Sequence, residues 1–164
     1  MEIRIAEIDD LPELLAIYND EVEHGVATLD ITPQTLEQRL VWFNEHGTSH
    51  HPLICAVSND GRIAGYASLS SYRSKEAYYS TVELSVYVAP EFRRRGVASQ
   101  LMTHILDLAR QSDSIHTVVS VITVGNSASI RLHETFGFTY CGRIRNVAVK
   151  FGRFLDIDNY QLMV

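Results

Sequence analysis

The chain has 164 residues, 46% of them hydrophobic, with 14 Lys plus Arg against 20 Asp plus Glu and a formal net charge of -6. Such a chain can bury a sizeable core without disulfides or metal, and its acidic balance argues against nucleic acid as the main partner, since phosphate-backbone binding needs a broad basic surface. No apolar run approaches the ~20 residues of a membrane helix, and Met1-Glu2-Ile3-Arg4-Ile5 lacks the charged head and apolar centre of a signal peptide, so a cytoplasmic protein without a membrane partner is expected.

Ile3 to Ile5 alternates as a strand and leads to a helix from about Asp10. There Asp10 and Glu13 have capping-box spacing, and Leu11, Leu14, Leu15, Tyr18 and Val22 share one face. Thr32-Pro33 is expected to open a second helix with Leu36, Leu40 and Phe43 inward. His46, His50 and His51 crowd the polar loop that follows; adjacent histidines point apart and nothing nearby completes a zinc set, so a solvated loop is expected. Leu53 to Val57 and Ile63 to Ser70 read as a hairpin turning at Asn59-Asp60-Gly61. Cys55 and Cys141 both lie in apolar, strand-like contexts, which predicts two buried free thiols.

After a loop from Ser71 to Ala77 comes a strand in which Val82, Leu84, Val86 and Val88 alternate with Glu83, Ser85 and Tyr87. A carboxylate therefore lies opposite an apolar row. Pro90 ends that pattern, Arg93-Arg94-Arg95-Gly96 makes a basic turn, and Val97, Leu101, Ile105 and Leu108 follow at helical spacing to about Gln111. The first N–H groups of such a helix lack partners and attract phosphate, while Gly96 lets a ligand approach the backbone. His116 to Thr123 reads as a strand; Asn126 then caps a helix with Ile130 and Phe136 on its apolar face, and Gly137 stops it. Three closing strands are expected, around Phe138 to Gly142, Ile144 to Phe151 and Ile157 to Met163. With no linker or repeat, residues 1–164 read as one α/β domain with a mixed sheet and a ligand cleft where strands diverge.

The pattern Arg93-x-x-Gly96-x-Ala98, set between that strand and helix, resembles motif A of the Gcn5-related N-acetyltransferase (GNAT) superfamily. The run from Asn126 to Phe138, with His133 where the superfamily usually has tyrosine, resembles its phosphinothricin and methionine sulfoximine N-acetyltransferase group. Matches at Ile17-Tyr18-Asn19, Ala27-Thr28-Leu29-Asp30 and Lys150-Phe151-Gly152-Arg153 extend the resemblance over nearly the whole chain. It implies a GNAT fold whose mixed central sheet is splayed at the acetyl-CoA strand, with helices on both faces. It also implies acetyl-CoA as co-substrate, no metal, a small-molecule amine as acceptor, and a homodimer. Val86, Tyr87 and Val88 would pair with the pantetheine arm, Arg93, Arg94, Arg95, Gly96, Val97, Ala98 and Ser99 would hold the pyrophosphate, and Asn126 and Ser129 would add contacts to the arm.

Transfer to an ammonium group needs a base, since nitrogen attacks only after losing a proton. Glu83 is the first candidate, and His133 the second, as base or as proton donor to the leaving thiolate. No cysteine is suitably placed as a nucleophile, so direct transfer is expected. Arg73, Lys75 and Tyr78, just before the Glu83 strand, are candidates to grip an acceptor carboxylate. Leu29, Lys75 and Phe154 depart from the group's usual phenylalanine, arginine and tryptophan where its acceptor sits. The acceptor is thus a small amino acid or analogue, with polyamines and protein N-termini as alternatives. A CoA-binding sensor or inactive interaction module on the same fold is the competing class.

Overall fold

The structure is a computed structural model that describes residues 1–164. Its seven strands are β1 (Glu2–Ile5), β2 (Leu53–Val57), β3 (Ile63–Ser71), β4 (Thr81–Val88), β5 (Thr117–Thr123), β6 (Thr139–Lys150) and β7 (Arg153–Met163), ordered β1-β2-β3-β4-β5-β7-β6 in one sheet. Its helices are α1 (Leu11–His24), α2 (Leu36–Asn44), α3 (Val97–Gln111) and α4 (Ser127–Thr135). Every neighbouring pair of strands is antiparallel except β4 and β5. No helix is long and apolar enough to cross a membrane.

Register fixes what each face of the sheet meets. Gly65 lies opposite Val88, and a Cβ there would fall 2.6 Å from the Tyr87 carbonyl oxygen and 3.3 Å from Leu101 of α3. Glycine is therefore required at that crossing, and Val82, Leu84, Val86 and Val88 face α3. The adjacent pair, Tyr66 opposite Tyr87, faces the other way. There Tyr87 packs edge-on against Tyr18 of α1 at 5.5 Å, and Tyr66 meets Trp42 of α2 at 5.9 Å. Glu83 and Ser85 share this α1/α2 face by alternation. The predicted first helix, its apolar stripe, the hairpin, the Glu83 strand and the helices after Gly96 and Asn126 are all present.

Several expectations are corrected. Pro33 does not open α2: Thr35 and Gln38 form a reciprocal capping box, with N–H to side-chain oxygen distances of 2.9 and 3.2 Å, so the helix starts at Leu36. That phase leaves Leu36 and Leu40 exposed and turns Arg39 inward, 3% exposed. Its guanidinium stacks on Trp42 at 3.5 Å and Tyr18 at 4.1 Å and donates to the Tyr66 hydroxyl at 2.6 Å. Asp10 does not cap α1 with Glu13; its carboxylate takes a bidentate Arg4 pair at 2.7 and 2.8 Å and the Glu7 N–H. His46 is buried, held by the Trp42 carbonyl at 2.7 Å and Ser70 at 2.8 Å, while His50 stacks on Tyr79. Cys55 is buried but Cys141 is exposed, because β6 is the outer strand. The three closing strands are two, since register shifts after Tyr140 and Ile144 let β6 run on to Lys150. A tight turn with left-handed Phe151 and Gly152, at φ 52 and 70, then starts β7.

Candidate functional site

The β4–β5 ladder runs only from Thr81 opposite Thr117 to Glu83 opposite Val119. Beyond Glu83, β5 pairs with β7 along its whole length and β4 stays with β3. The two strands splay, and a cavity of about 710 Å³ opens between them. It is lined by Glu83–Val88 of β4, Ser120–Thr123 of β5, the segment Gly25–Leu29 after α1, and the α4 side chains Ser129, Leu132 and His133. The volume suits a small-molecule site, and the free edge of β4 offers backbone groups that an extended ligand can join as an added strand.

The basic turn leads from the end of β4 into α3. Arg94 and Gly96 both take left-handed conformations, at φ 62 and 77. A non-glycine residue held there is a strained position of the kind that clusters at ligand sites. A Cβ on Gly96 would meet nothing within 4 Å, so its φ and not crowding calls for glycine. The first intrahelical bond runs from Gln100 N–H to Gly96 O, leaving the N–H groups of Val97, Ala98 and Ser99 without helical acceptors. With Arg93, Arg94 and Arg95 alongside, this is an anion cradle. Arg93 and Ala98 line the cavity; Arg94, Arg95, Gly96, Val97 and Ser99 surround the turn outside its wall. Val97 is buried at 1% exposure, so only its backbone can serve a ligand.

Glu83 and His133 both line the cavity, on opposite faces of the sheet. In-register partners point the same way, so Glu83 and Val119 face α1 and α2, while the next residue, Ser120, faces α4. Burial alone pushes the Glu83 carboxyl above its ordinary range. His133 is 5% exposed. Its Nδ1 donates to the Ser129 carbonyl at 2.8 Å, its Nε2 meets Ser120 Oγ at 2.8 Å, and its ring lies edge-on to Phe138 at 4.9 Å. Burial draws the imidazole below its usual value, and the Ser129 carbonyl partly opposes that. Asn126 acts as the N-cap of α4, accepting from Ser129 N–H at 3.3 Å, and also lines the cavity with Ser129.

Arg73, Lys75 and Tyr78 are not brought to the cavity wall. The Arg73 guanidinium lies over the rings of Tyr72 and Tyr78, at 5.0 and 5.6 Å. Their loop nevertheless leaves β3 after Ser71, one residue beyond Ser70, which pairs with Glu83. Sequence reasoning missed Glu21 and Ser120, and it named Lys150 only within a segment matched to the family. Glu21 accepts from Arg93 at 3.3 Å and from Ala27 N–H at 2.9 Å. Lys150, 3% exposed, donates from Nζ to the Thr28 carbonyl at 2.9 Å and thereby ties the end of β6 to the cavity roof. Ser120 had a signal: it is the single polar residue in Val118-Val119-Ser120-Val121-Ile122. No group of three or more His, Cys, Asp or Glu side chains is placed to hold a metal ion.

The acetyltransferase (GNAT) family model matches residues 11–138. An L-methionine sulfoximine/L-methionine sulfone acetyltransferase from Pseudomonas aeruginosa is 40% identical over 160 residues, covering 98% of this chain and 92% of that protein. Among solved structures, a ribosomal-protein-alanine N-acetyltransferase from Brucella melitensis superposes with a TM-score of 0.95 at 38% identity, over 100% of both chains. A GNAT superfamily phosphinothricin acetyltransferase from Sinorhizobium meliloti, in complex with acetyl-CoA, gives 0.93 at 29% identity, over 99% of this chain and 88% of that one. A match over residues 11–138 and 40% identity over almost the whole length of a named acetyltransferase agree with the splayed strand, basic turn and helix described above, and the chain belongs to the acetyltransferase (GNAT) family.

Proposed function

We propose that the chain is an acetyl-CoA-dependent N-acetyltransferase that acetylates the amine of a small amino acid or analogue, of the methionine sulfoximine or phosphinothricin kind, by direct transfer. The observation that carries this reading is the end of β4–β5 pairing at Glu83, which opens the sheet beside a half-buried carboxylate. The residues present fit acetyl-CoA. The N–H groups of Val97, Ala98 and Ser99 with Arg93, Arg94 and Arg95 suit a pyrophosphate, the free edge at Val86, Tyr87 and Val88 suits an amide-rich arm, and Asn126 and Ser129 add polar groups beside it.

Glu83 takes the ammonium proton of the acceptor. Burial raises its pKa, which strengthens it as a base. Backbone N–H groups near Val86 to Val88 stabilise the developing oxyanion. Arg73 and Lys75, with Tyr78, hold the acceptor carboxylate; the departure of their loop from beside Glu83 supports this assignment. The protein works in the cytoplasm without a metal, as a homodimer. Val147, Val149, Phe151 and Phe154, all exposed near the β6–β7 turn, support a second copy packing there.

The test is a panel of amines assayed with acetyl-CoA for release of free thiol: methionine sulfoximine, methionine sulfone, phosphinothricin, ordinary amino acids, a polyamine and peptides with a free N-terminus. Preference for the carboxylate-bearing small amines supports the reading. Preference for peptides moves the acceptor class towards proteins, as in the ribosomal-protein-alanine N-acetyltransferase of the Brucella relative's name. CoA binding without turnover of any amine supports the sensor instead.

A further inference from the structure

Ser120 is 1% exposed, lines the cavity, and is the first β5 residue beyond the last β4–β5 pair. Its Oγ lies 2.8 Å from His133 Nε2, and His133 Nδ1 lies 2.8 Å from the Ser129 carbonyl. A carbonyl only accepts, so the neutral ring carries its proton on Nδ1, and Nε2 accepts from the serine hydroxyl. Both ring nitrogens are thus committed inside the protein. His133 can reach the gap between β4 and β5 through the Ser120 oxygen, which keeps a lone pair for a second donor. The bond sits on the face of the sheet opposite Glu83, the face that also carries α3.

We propose that Ser120 is the group through which His133 takes part in acetyl transfer: its hydroxyl relays a proton from the attacking nitrogen to the departing sulfur, and the imidazole holds that proton in between. The inference rests on the acetyl-transfer reading above. After Glu83 has removed one proton and the amine has added to the thioester carbon, that carbon bears an oxyanion, the sulfur and a nitrogen with an excess proton. This proton passes to Ser120 Oγ while the Ser120 proton moves to Nε2. The oxyanion pair re-forms the carbonyl, and the C–S bond breaks with its electron pair staying on sulfur. The Nε2 proton then returns to Oγ as the Oγ proton goes to sulfur. Nitrogen has lost one proton and sulfur has gained one, while serine and histidine end as they began. The burial of the pair excludes bulk water as a competing proton source.

The experiment compares the parent with Ser120→Ala, His133→Ala, the double variant and Ser120→Thr, each checked by thermal melting, using whichever amine the parent acetylates fastest. Each single loss lowers kcat about 10²-fold, the scale of one positioned proton-transfer group, and leaves the KM for acetyl-CoA nearly unchanged. The double variant is no slower than the singles, because the two act as a unit. Ser120→Thr recovers most of the rate. With an acetyl thioester of an acidic aromatic thiol, whose sulfur departs without a proton, the Ser120→Ala deficit largely disappears; a merely structural serine gives the same deficit with both donors. Without any substrate, imidazole 15N spectra of the parent at neutral pH show a bare, hydrogen-bonded Nε2 that shifts in Ser120→Ala. Parent-like turnover of Ser120→Ala, additive losses in the double variant, or a deficit that persists with the aromatic thioester overturns the relay and leaves the acetyltransferase reading intact. A parent that prefers non-amino-acid amines overturns the acceptor assignment alone.

Discussion

Arg93 and Glu21, 72 residues apart in sequence, meet at the cavity with the guanidinium Nη2 3.3 Å from the carboxylate. The other Glu21 oxygen holds Ala27 N–H at 2.9 Å, and a Cβ on Gly25 would fall 1.8 Å from it and displace it. One carboxylate therefore joins the segment roofing the cavity to the turn that, in the proposed function, receives the pyrophosphate. Carboxylate and pyrophosphate compete for Arg93. Glu21→Gln removes the nearer competing charge, leaving Asp20 at 3.6 Å from the same nitrogen, yet keeps an acceptor for Ala27, so CoA should bind up to about fivefold tighter at low salt, the scale of a partly exposed ion pair. Calorimetry that finds weaker binding would mean that Glu21 preorganises Arg93 and does not compete for it.

Glu83 makes a two-sided prediction. Its folded pKa is raised by burial, so its contribution to stability is present below the unfolded value and is lost as pH rises through the folded one. Once pH exceeds both values the charged carboxylate therefore destabilises the free protein. Glu83→Gln should melt higher at pH 7, each kcal/mol recovered appearing as about 2–4 °C, with the advantage vanishing near pH 4. Turnover should fall about 10²–10⁴-fold. The parent's kcat/KM should drop on the acid side below a pKa above the ordinary glutamate value. A melting gain that persists unchanged at pH 4 would assign the effect to packing and not to charge.

Gly96→Asp tests the anion cradle. Space is open around the position, so the fold accommodates the side chain at a strain of about 1–2 kcal/mol for leaving glycine at positive φ. The new carboxylate would stand among the free N–H groups that suit the pyrophosphate. Binding of CoA should be lost while the circular dichroism spectrum is retained. Parent-like affinity in that variant would place the phosphates elsewhere.

Much of this architecture was legible because its signals are local. The alternation around Glu83, the basic turn with Gly96, and the Asn126 cap each specify an element and its neighbour, and all three line or adjoin the cavity. The errors arose where a distant partner decides. Arg39 reads as a surface residue until two helices and β3 supply Tyr18, Trp42 and Tyr66 around it. Asp10 has a helix to cap but a better partner in Arg4 on β1. Glu21 and Ser120 entered the site only when strand order and register brought them there, and the same placement gave Lys150 its bond to Thr28. Lys75 and Arg73 sit where the resemblance puts acceptor recognition, yet the cavity wall of one chain does not include them.

Arg39 links the core to the acceptor side, and its removal should be felt in both. The guanidinium stacks on Tyr18, whose hydroxyl hydrogen-bonds Thr28 and Asp30, and Thr28 lines the cavity roof. Burial is the main reason the Tyr18 phenol is pushed up to about 12, so it stays a neutral donor to Asp30 throughout the working range. Arg39→Ala would empty a site between two rings and leave the Tyr66 hydroxyl without its buried partner, which should lower stability by about 1–3 kcal/mol. Arg39→Lys keeps the charge but loses the planar stack, so it should recover only part of that. In both variants the KM for the acceptor amine should rise more than the KM for acetyl-CoA, because the loosened Tyr18 frees the Thr28 segment while the turn at Gly96 is untouched. Urea denaturation with steady-state kinetics checks both halves, and equal changes in the two Michaelis constants would sever the proposed link between this cation and the acceptor side.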